Sequence, residues 1–387
     1  MIYVRDRFGQ PIGASALLYM KNSQEEKLRI ATNFQGAFEL EDWSNVKFMK
    51  VWHNGGHWKQ LIVDPENETT LRPDEFSADQ ESWWKKKMGV SERPTLSGPT
   101  VGVIDHVSRR VMDCAKVTVT HHYEPRLLKQ DSHGDHVCQV FLGNLDAPQT
   151  SPDRLSNGER IQFYDIAPPL AEVIGSEIST STALIQGILY LSHLTDVSVI
   201  SISQGIISDE HSDALEAAVF AAKQNGVICV AASGNSPNDL VALPARLEDV
   251  VSVGGVGLNG LSPELSYVNH LERMGKITLE NSGLEATGEW FSCPNASYRG
   301  GVDVVGPSSA IILTNSHGYA IDFEGTSYAC PVVARALMER LKQIEEFSTL
   351  SGEDRYERSK LALYSMCVDL GLPNERQGKG LPTCEAA

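Results

Sequence analysis

The chain has 387 residues, of which 41% are apolar and 21% charged, enough to bury one large core and a smaller one. Its formal net charge of −17 argues against nucleic acid as a partner, because phosphate binding needs clustered Lys and Arg. No apolar run reaches the roughly 20 residues a membrane-spanning helix requires, so no membrane partner is expected either.

Residues 1–72 lack helical periodicity. Short alternating runs at 1–4, 14–20, 28–31, 37–40, 46–52 and 58–63 predict strands, punctuated by Gly9, Pro11, Gly13, Gly36, Gly55 and Gly56. Strands of that length between turn residues predict a small all-β sandwich domain. Residues 73–98 are polar and read as a linker, with a short helix over 81–88 around Trp83 and Trp84.

From Pro99 to residue 387 the pattern changes, and a second, larger domain is expected. The runs 100–104, 197–201, 227–232 and 250–253 are short, β-branched and almost continuously apolar, as buried parallel strands are. Helical spacing falls at 179–194 and 212–224, with Ser212 or Asp213 as an N-cap and Gly226 just past the end. Strand–helix–strand repetition predicts an α/β fold: a doubly wound, mostly parallel sheet with right-handed crossovers.

Three segments put polar side chains where such a sheet places function, beyond strand ends or at helix starts. Asp105 ends the strand of GVIDHV, His133 opens the helical run of DSHGDHVCQV, and Ser327 begins the amphipathic helix of GTSYACPVVARALMERL. Singly, each has an ordinary explanation as a turn former, a surface polar residue or a common tripeptide. Jointly they form an ordered Asp, His, Ser set. GVIDHV, HGDHV, SISQG, VAASGN, GTSYACP and the C-terminal GKGLPTCEAA resemble the boxes of the subtilisin-like serine proteases, the subtilase family, from about residue 95 onward.

That resemblance implies a serine endopeptidase with Asp105, His133 and Ser327 as its triad and Asn235 as oxyanion donor. It implies a peptide-pairing strand of Ser203, Gln204 and Gly205, and a pocket lined by Ala232, Ser233, Gly234 and residues 242–244. Gln204 departs from the family's usual Leu at a position expected to face the peptide, and Pro331 is expected in the first turn of its helix. The residue types suit the chemistry: a Ser hydroxyl needs a base, and His is the side chain suited to that task near neutrality. His136 is expected to be structural, since a zinc reading finds no third ligand nearby. Subtilases often bind structural calcium, but no ligand-rich loop of that kind stands out, so no cofactor or metal is expected. The stretch 257–290 exceeds the loop of compact subtilases and is expected to be a surface insertion, or a gating loop. Within residues 1–72, V-x-D-x-x-G-x-P-I-x-x-A and T-N-x-x-G-x-F-x-L resemble carboxypeptidase-regulatory-like or Cna-B-like domains. Such a domain would bind a protein partner or hold the protease in check.

Seven Cys at 114, 138, 229, 293, 330, 367 and 384 show neither pairing nor ligand spacing, which predicts free thiols in a reducing compartment. The N-terminal MIYVRDRFGQ has no secretory pattern, so the expectation is a cytoplasmic endopeptidase acting on a protein or peptide substrate. Two alternatives use the same fold: a peptide ligase or macrocyclase, and a catalytically silent peptide-binding scaffold. Retention of all four site residues argues against the scaffold.

Overall fold

The computed structural model describes the chain except residues 6–8, 12, 22–26, 54–58, 64–69, 72–77, 92–99, 124–131, 144, 146–159, 168–176, 207–208, 210–211, 237–238, 263–267, 270–285, 316–319 and 385–387. The expected turn at Gly55 and Gly56, the residue Trp58, much of 257–290 and the last three residues therefore lie outside the described residues.

Alternation of small or apolar residues with polar ones builds two facing sheets at the N-terminus. Strands β1 (Ile2–Val4), β2 (Ala14–Met20), β3 (Lys27–Ala31), β4 (Ala37–Phe38), β5 (Val46–His53), β6 (Lys59–Val63) and β7 (Thr70–Leu71) pair as β4–β1–β7 and β3–β2–β5–β6. Along β2, Ala14, Ala16 and Leu18 are buried while the residues between them are only half-buried, as a period of two requires. These side chains, with Met49 and Val51, meet Ile2, Val4, Phe38 and Leu71 of the other sheet in one shared core. The seventh strand has only two residues and so carries no readable alternation. Ile321, more than 200 positions downstream, joins this core, and Phe323 packs against it.

Helix α1 (Ala78–Met88) extends the expected helix by three residues. It is not merely strung between two domains. Trp83, Trp84 and Met88 are buried in the large core, and the Trp83 indole N–H donates to the Ala310 carbonyl at 2.8 Å.

The large sheet is built from β8 (Thr100–Asp105), β9 (Val117–His121), β10 (Ile161–Asp165), β11 (Val197–Ile202), β12 (Ile228–Ala232), β13 (Val250–Leu258), β14 (Ala286–Thr287), β15 (Trp290–Ser292) and β16 (Val304–Pro307). Its order is β14–β15–β13–β12–β11–β8–β10–β9, with β16 also on β13, and the pairs from β9 to β13 are parallel. Every residue of β8, β11, β12 and β13 is buried, which accounts for their unbroken apolar runs. The helices that cover them are α3 (His133–Leu142), α4 (Glu177–Ser192), α5 (Ser212–Gln224) and, after the hairpin β17 (Ile311–Thr314) and β18 (Ala320–Phe323), α6 (Thr326–Leu341). A four-residue helix, α2 (Arg109–Met112), precedes β9. Helices α3 and α6 pack together, as do α4 and α5.

The expected surface insertion is corrected at both ends. Residues 257–258 are the buried tail of β13, and β15 returns antiparallel beside them, with Trp290 and Phe291 buried. A phenyl ring lies so close to Gly257 that only glycine fits there. Strands β9 and β10 escaped the sequence reading. The first is a partly exposed edge strand, TVTH-like in content, and so lacks the apolar run of its neighbours. Among the described residues no helix is long and apolar enough to cross a membrane.

Candidate active site

Parallel register puts the ends of β8, β11 and β12 at one edge of the sheet, and the candidate residues gather there. Asp105 ends β8 and is fully buried. His133 opens α3, and its Nδ1 lies 2.8 Å from Asp105 Oδ2 and 3.0 Å from Oδ1. The His106 N–H donates to Oδ1 at 2.7 Å. Burial alone would push the Asp105 carboxyl up, but the charge and hydrogen bond of His133, then the charge and N–H of His106, outweigh it. The group is held below its ordinary range.

The start of α3 is fixed by a capping box that the sequence reading missed. The Ser132 hydroxyl accepts from the Asp135 N–H at 3.2 Å, and Asp135 Oδ2 accepts from the Ser132 N–H at 3.1 Å. Asp135 is fully buried and also accepts from the Ser108 hydroxyl, on the loop after Asp105. The signal was present as S-x-x-D ahead of an apolar run. Gly134 is required as well, because a Cβ there would run into the His106 carbonyl, which accepts its N–H at 3.1 Å.

Ser327 is the second residue of α6. Gly325 caps that helix at φ 132°, a conformation that favours glycine, and a Cβ there would press on the Asn235 amide. Pro331 does not lie in the first turn, as the sequence suggested, but is the sixth helical residue. Its missing N–H therefore leaves the Ser327 carbonyl without its i+4 donor, and the Ser203 hydroxyl supplies one at 2.7 Å. In return, Ser327 Oγ donates to the Ser203 carbonyl at 3.3 Å.

Asn235 follows β12 on the exposed side of the same edge. Its Oδ1 accepts from the Thr326 N–H at 2.9 Å and the Thr326 hydroxyl at 3.1 Å, which leaves Nδ2 as the donor. The Thr326 hydroxyl also ties to Gly234, bonding both its N–H and its carbonyl. Ala232 and Ser233 are buried, Gly234 turns at φ 109°, and the Ser233 carbonyl accepts from the Ala242 N–H at 2.9 Å. Ile206 and Leu243 exchange backbone hydrogen bonds beside the exposed Gly205. These bonds bring the 203–205, 232–235 and 242–244 segments together.

Gln204 is the surprise. Its side-chain amide, expected to face a peptide, turns to Asp105, donating from Nε2 to Oδ1 at 3.1 Å. His136 packs its ring 4.3 Å from that of Phe323, as a structural histidine would. Tyr328, next to Ser327, stacks obliquely on His133 at 5.7 Å and on Phe323 at 5.1 Å. Through Phe323 the N-terminal core therefore touches residues adjoining the site. Glu324, three residues before Ser327, was also missed. Burial pushes its carboxyl up to about 7 against a hydrogen bond from the Val268 N–H. Among the described residues no group of three or more His, Cys, Asp or Glu is placed to hold a metal ion.

A doubly wound parallel sheet carrying an Asp–His pair at one strand end and a helix-borne Ser beside it defines the subtilisin-like class of α/β protein. The chain belongs to the subtilase family, peptidase family S8, whose model matches residues 91–361. It is 26% identical to subtilisin Savinase of Lederbergia lenta over 264 residues, 68% of this chain and 80% of the relative. It is likewise 26% identical to alkaline elastase YaB of Bacillus sp. (strain YaB) over 235 residues, 60% of this chain. The chain spans 50% of that elastase's length and 57% of that of the alkaline protease of Alkalihalobacillus alcalophilus. Among solved structures, sphericase matches with a TM-score of 0.53 at 17% identity, covering 80% of this chain and all of the other (100%). The epidermin leader peptide processing serine protease of Staphylococcus aureus matches at 0.53 and 17%, covering 96% of this chain and 97% of the other. At such identities the likeness is one of fold.

Proposed function

We propose that the protein is a serine endopeptidase of the cytoplasm that cleaves peptide bonds through an acyl-enzyme. The observation that carries the reading is the fully buried Asp105 carboxylate, both of whose oxygens face His133 Nδ1 at 2.8 and 3.0 Å. That contact favours the tautomer with the proton on Nδ1, leaving Nε2 as the base. Ser327 Oγ attacks the scissile carbonyl carbon as His133 Nε2 takes its proton. The Ser327 hydroxyl exchanges its bond to the Ser203 carbonyl for one to His133 as substrate settles, since such contacts commonly tighten only in the complex. The oxyanion is stabilised by Asn235 Nδ2 and the Ser327 N–H, with the positive end of α6 behind them.

The protonated His133 then gives its proton to the leaving amine, and water resolves the ester by the same steps in reverse. Substrate pairs in extended form along residues 203–205, in the manner of an added strand, and its side chain before the scissile bond enters the pocket at 232–234 and 242–244. Support for a reducing compartment comes from the spacing of the seven Cys, which fits neither a disulfide frame nor a metal site. The N-terminal sheets regulate or target this site. Support comes from Ile321 and Phe323, which join their core to the hairpin leading into Ser327.

A serine-reactive fluorophosphonate tests the reading. The parent should be labelled and Ser327→Ala should not. Labelling that persists in Ser327→Ala, or an unreactive parent, refutes the assignment.

A further inference from the structure

We infer that Gln204 is a positioning residue of the triad, holding the Asp105 carboxylate together with the His106 N–H and setting how firmly it binds the His133 imidazolium. The inference rests on the triad reading above. Its basis is geometric. Asp105 Oδ1 accepts from the His106 N–H at 2.7 Å and from Gln204 Nε2 at 3.1 Å, while His133 Nδ1 lies 2.8 Å from Oδ2 and 3.0 Å from Oδ1. The same Gln204 nitrogen stands 3.5 Å from His133 Nδ1. An amide nitrogen donates and does not accept, so it cannot take the Nδ1 proton. Both groups therefore converge on one carboxylate, and with the His106 N–H they restrain its rotation about χ2.

The leucine usual at this position in the family has no donor to offer. Gln204 is only half-buried, whereas the carboxylate it bonds is fully buried, so its amide also covers Asp105. Other titratable groups surround the pair. His106 and His133 lower the carboxyl, Tyr328 lies on the His133 ring, and Asp165 lies beside Asp105 in register on β10, itself paired with His121. Against that background the Gln204 N–H draws charge from Oδ1. It weakens the hold of Asp105 on the protonated imidazole and keeps His133 a neutral base to lower pH.

The test compares the parent with Gln204→Met, which has similar reach and no donor, and with Gln204→Glu, which has the same shape, no donor and added charge. Rates are normalised to the sites titrated by fluorophosphonate, so that only folded, competent molecules count. Gln204→Met should lower kcat about 3- to 10-fold with KM within about 2-fold, the scale of one charge-assisted hydrogen bond. The acidic limb of kcat/KM should move to higher pH, and further in Gln204→Glu. A changed KM with unchanged kcat and an unmoved limb would mean that Gln204 reads the peptide instead, and overturns the inference. So would a Gln204→Met variant indistinguishable from a labelled parent. An unlabelled parent overturns the triad reading and this inference with it.

Discussion

Replacing Asn235 by alanine removes two things at once, and the structure separates them. Its Oδ1 accepts from the N–H and hydroxyl of the fully buried Thr326, at 2.9 and 3.1 Å. Loss of that acceptor leaves a helix-start N–H unpaired, at a cost of about 1–3 kcal/mol. The opposite end of the amide, Nδ2, is the proposed oxyanion donor. Removing such a side-chain donor from a subtilisin lowers kcat about 10²- to 10³-fold, or about 2.7–4 kcal/mol of barrier. Asn235→Asp separates the two effects, because a carboxylate keeps the acceptor for Thr326 and sits well at the positive end of α6. It offers no donor and repels the oxyanion. Thermal melting should therefore show Asn235→Ala destabilised and Asn235→Asp close to the parent. Steady-state kinetics on a peptide substrate should show both with kcat reduced at least 10²-fold and KM little changed. If both keep kcat within a few-fold, or lose it only through KM, the oxyanion role of Asn235 is wrong.

Ser203→Ala should destabilise the protein by about 1–3 kcal/mol, read from its urea midpoint, because the Ser327 carbonyl loses the hydroxyl that replaces the helical bond broken by Pro331. An unchanged midpoint would mean another donor fills that carbonyl. Glu324 has a folded carboxyl raised to about 7 from the ordinary 4.5, so its contribution to stability is complete below about 4.5 and is lost as pH rises through about 7. Glu324→Gln should accordingly narrow the fall in melting temperature between pH 5 and 8. A parallel fall in parent and variant would contradict that sign.

The N-terminal strands were legible because runs such as β2 alternate across a half-buried sheet, and period two survives in sequence. The edge strand β9 and the two-residue β7 were not. An exposed edge carries no apolar run, and two residues carry no period. The stretch 257–290 misled for a different reason. Its ends are polar or glycine-rich in sequence, yet β15 returns to bury Trp290 and Phe291 beside β13, an antiparallel pairing between segments that local pattern cannot connect.

Of the site, the identities of Asp105, His133, Asn235 and Ser327 were readable because the chemistry admits few residue types and the surrounding boxes keep their order. The supporting shell was not. Ser203 completing the carbonyl freed by Pro331, Asp135 bridging Ser132 to Ser108, and Gln204 reaching Asp105 are contacts between segments 3 to 124 positions apart. Sequence alone determined which groups could do the chemistry, since that depends on functional groups and order along the chain. Tertiary structure decided how those groups are held, because hydrogen-bond partners are set by which strand and helix ends meet at the sheet edge. No period or motif records that meeting.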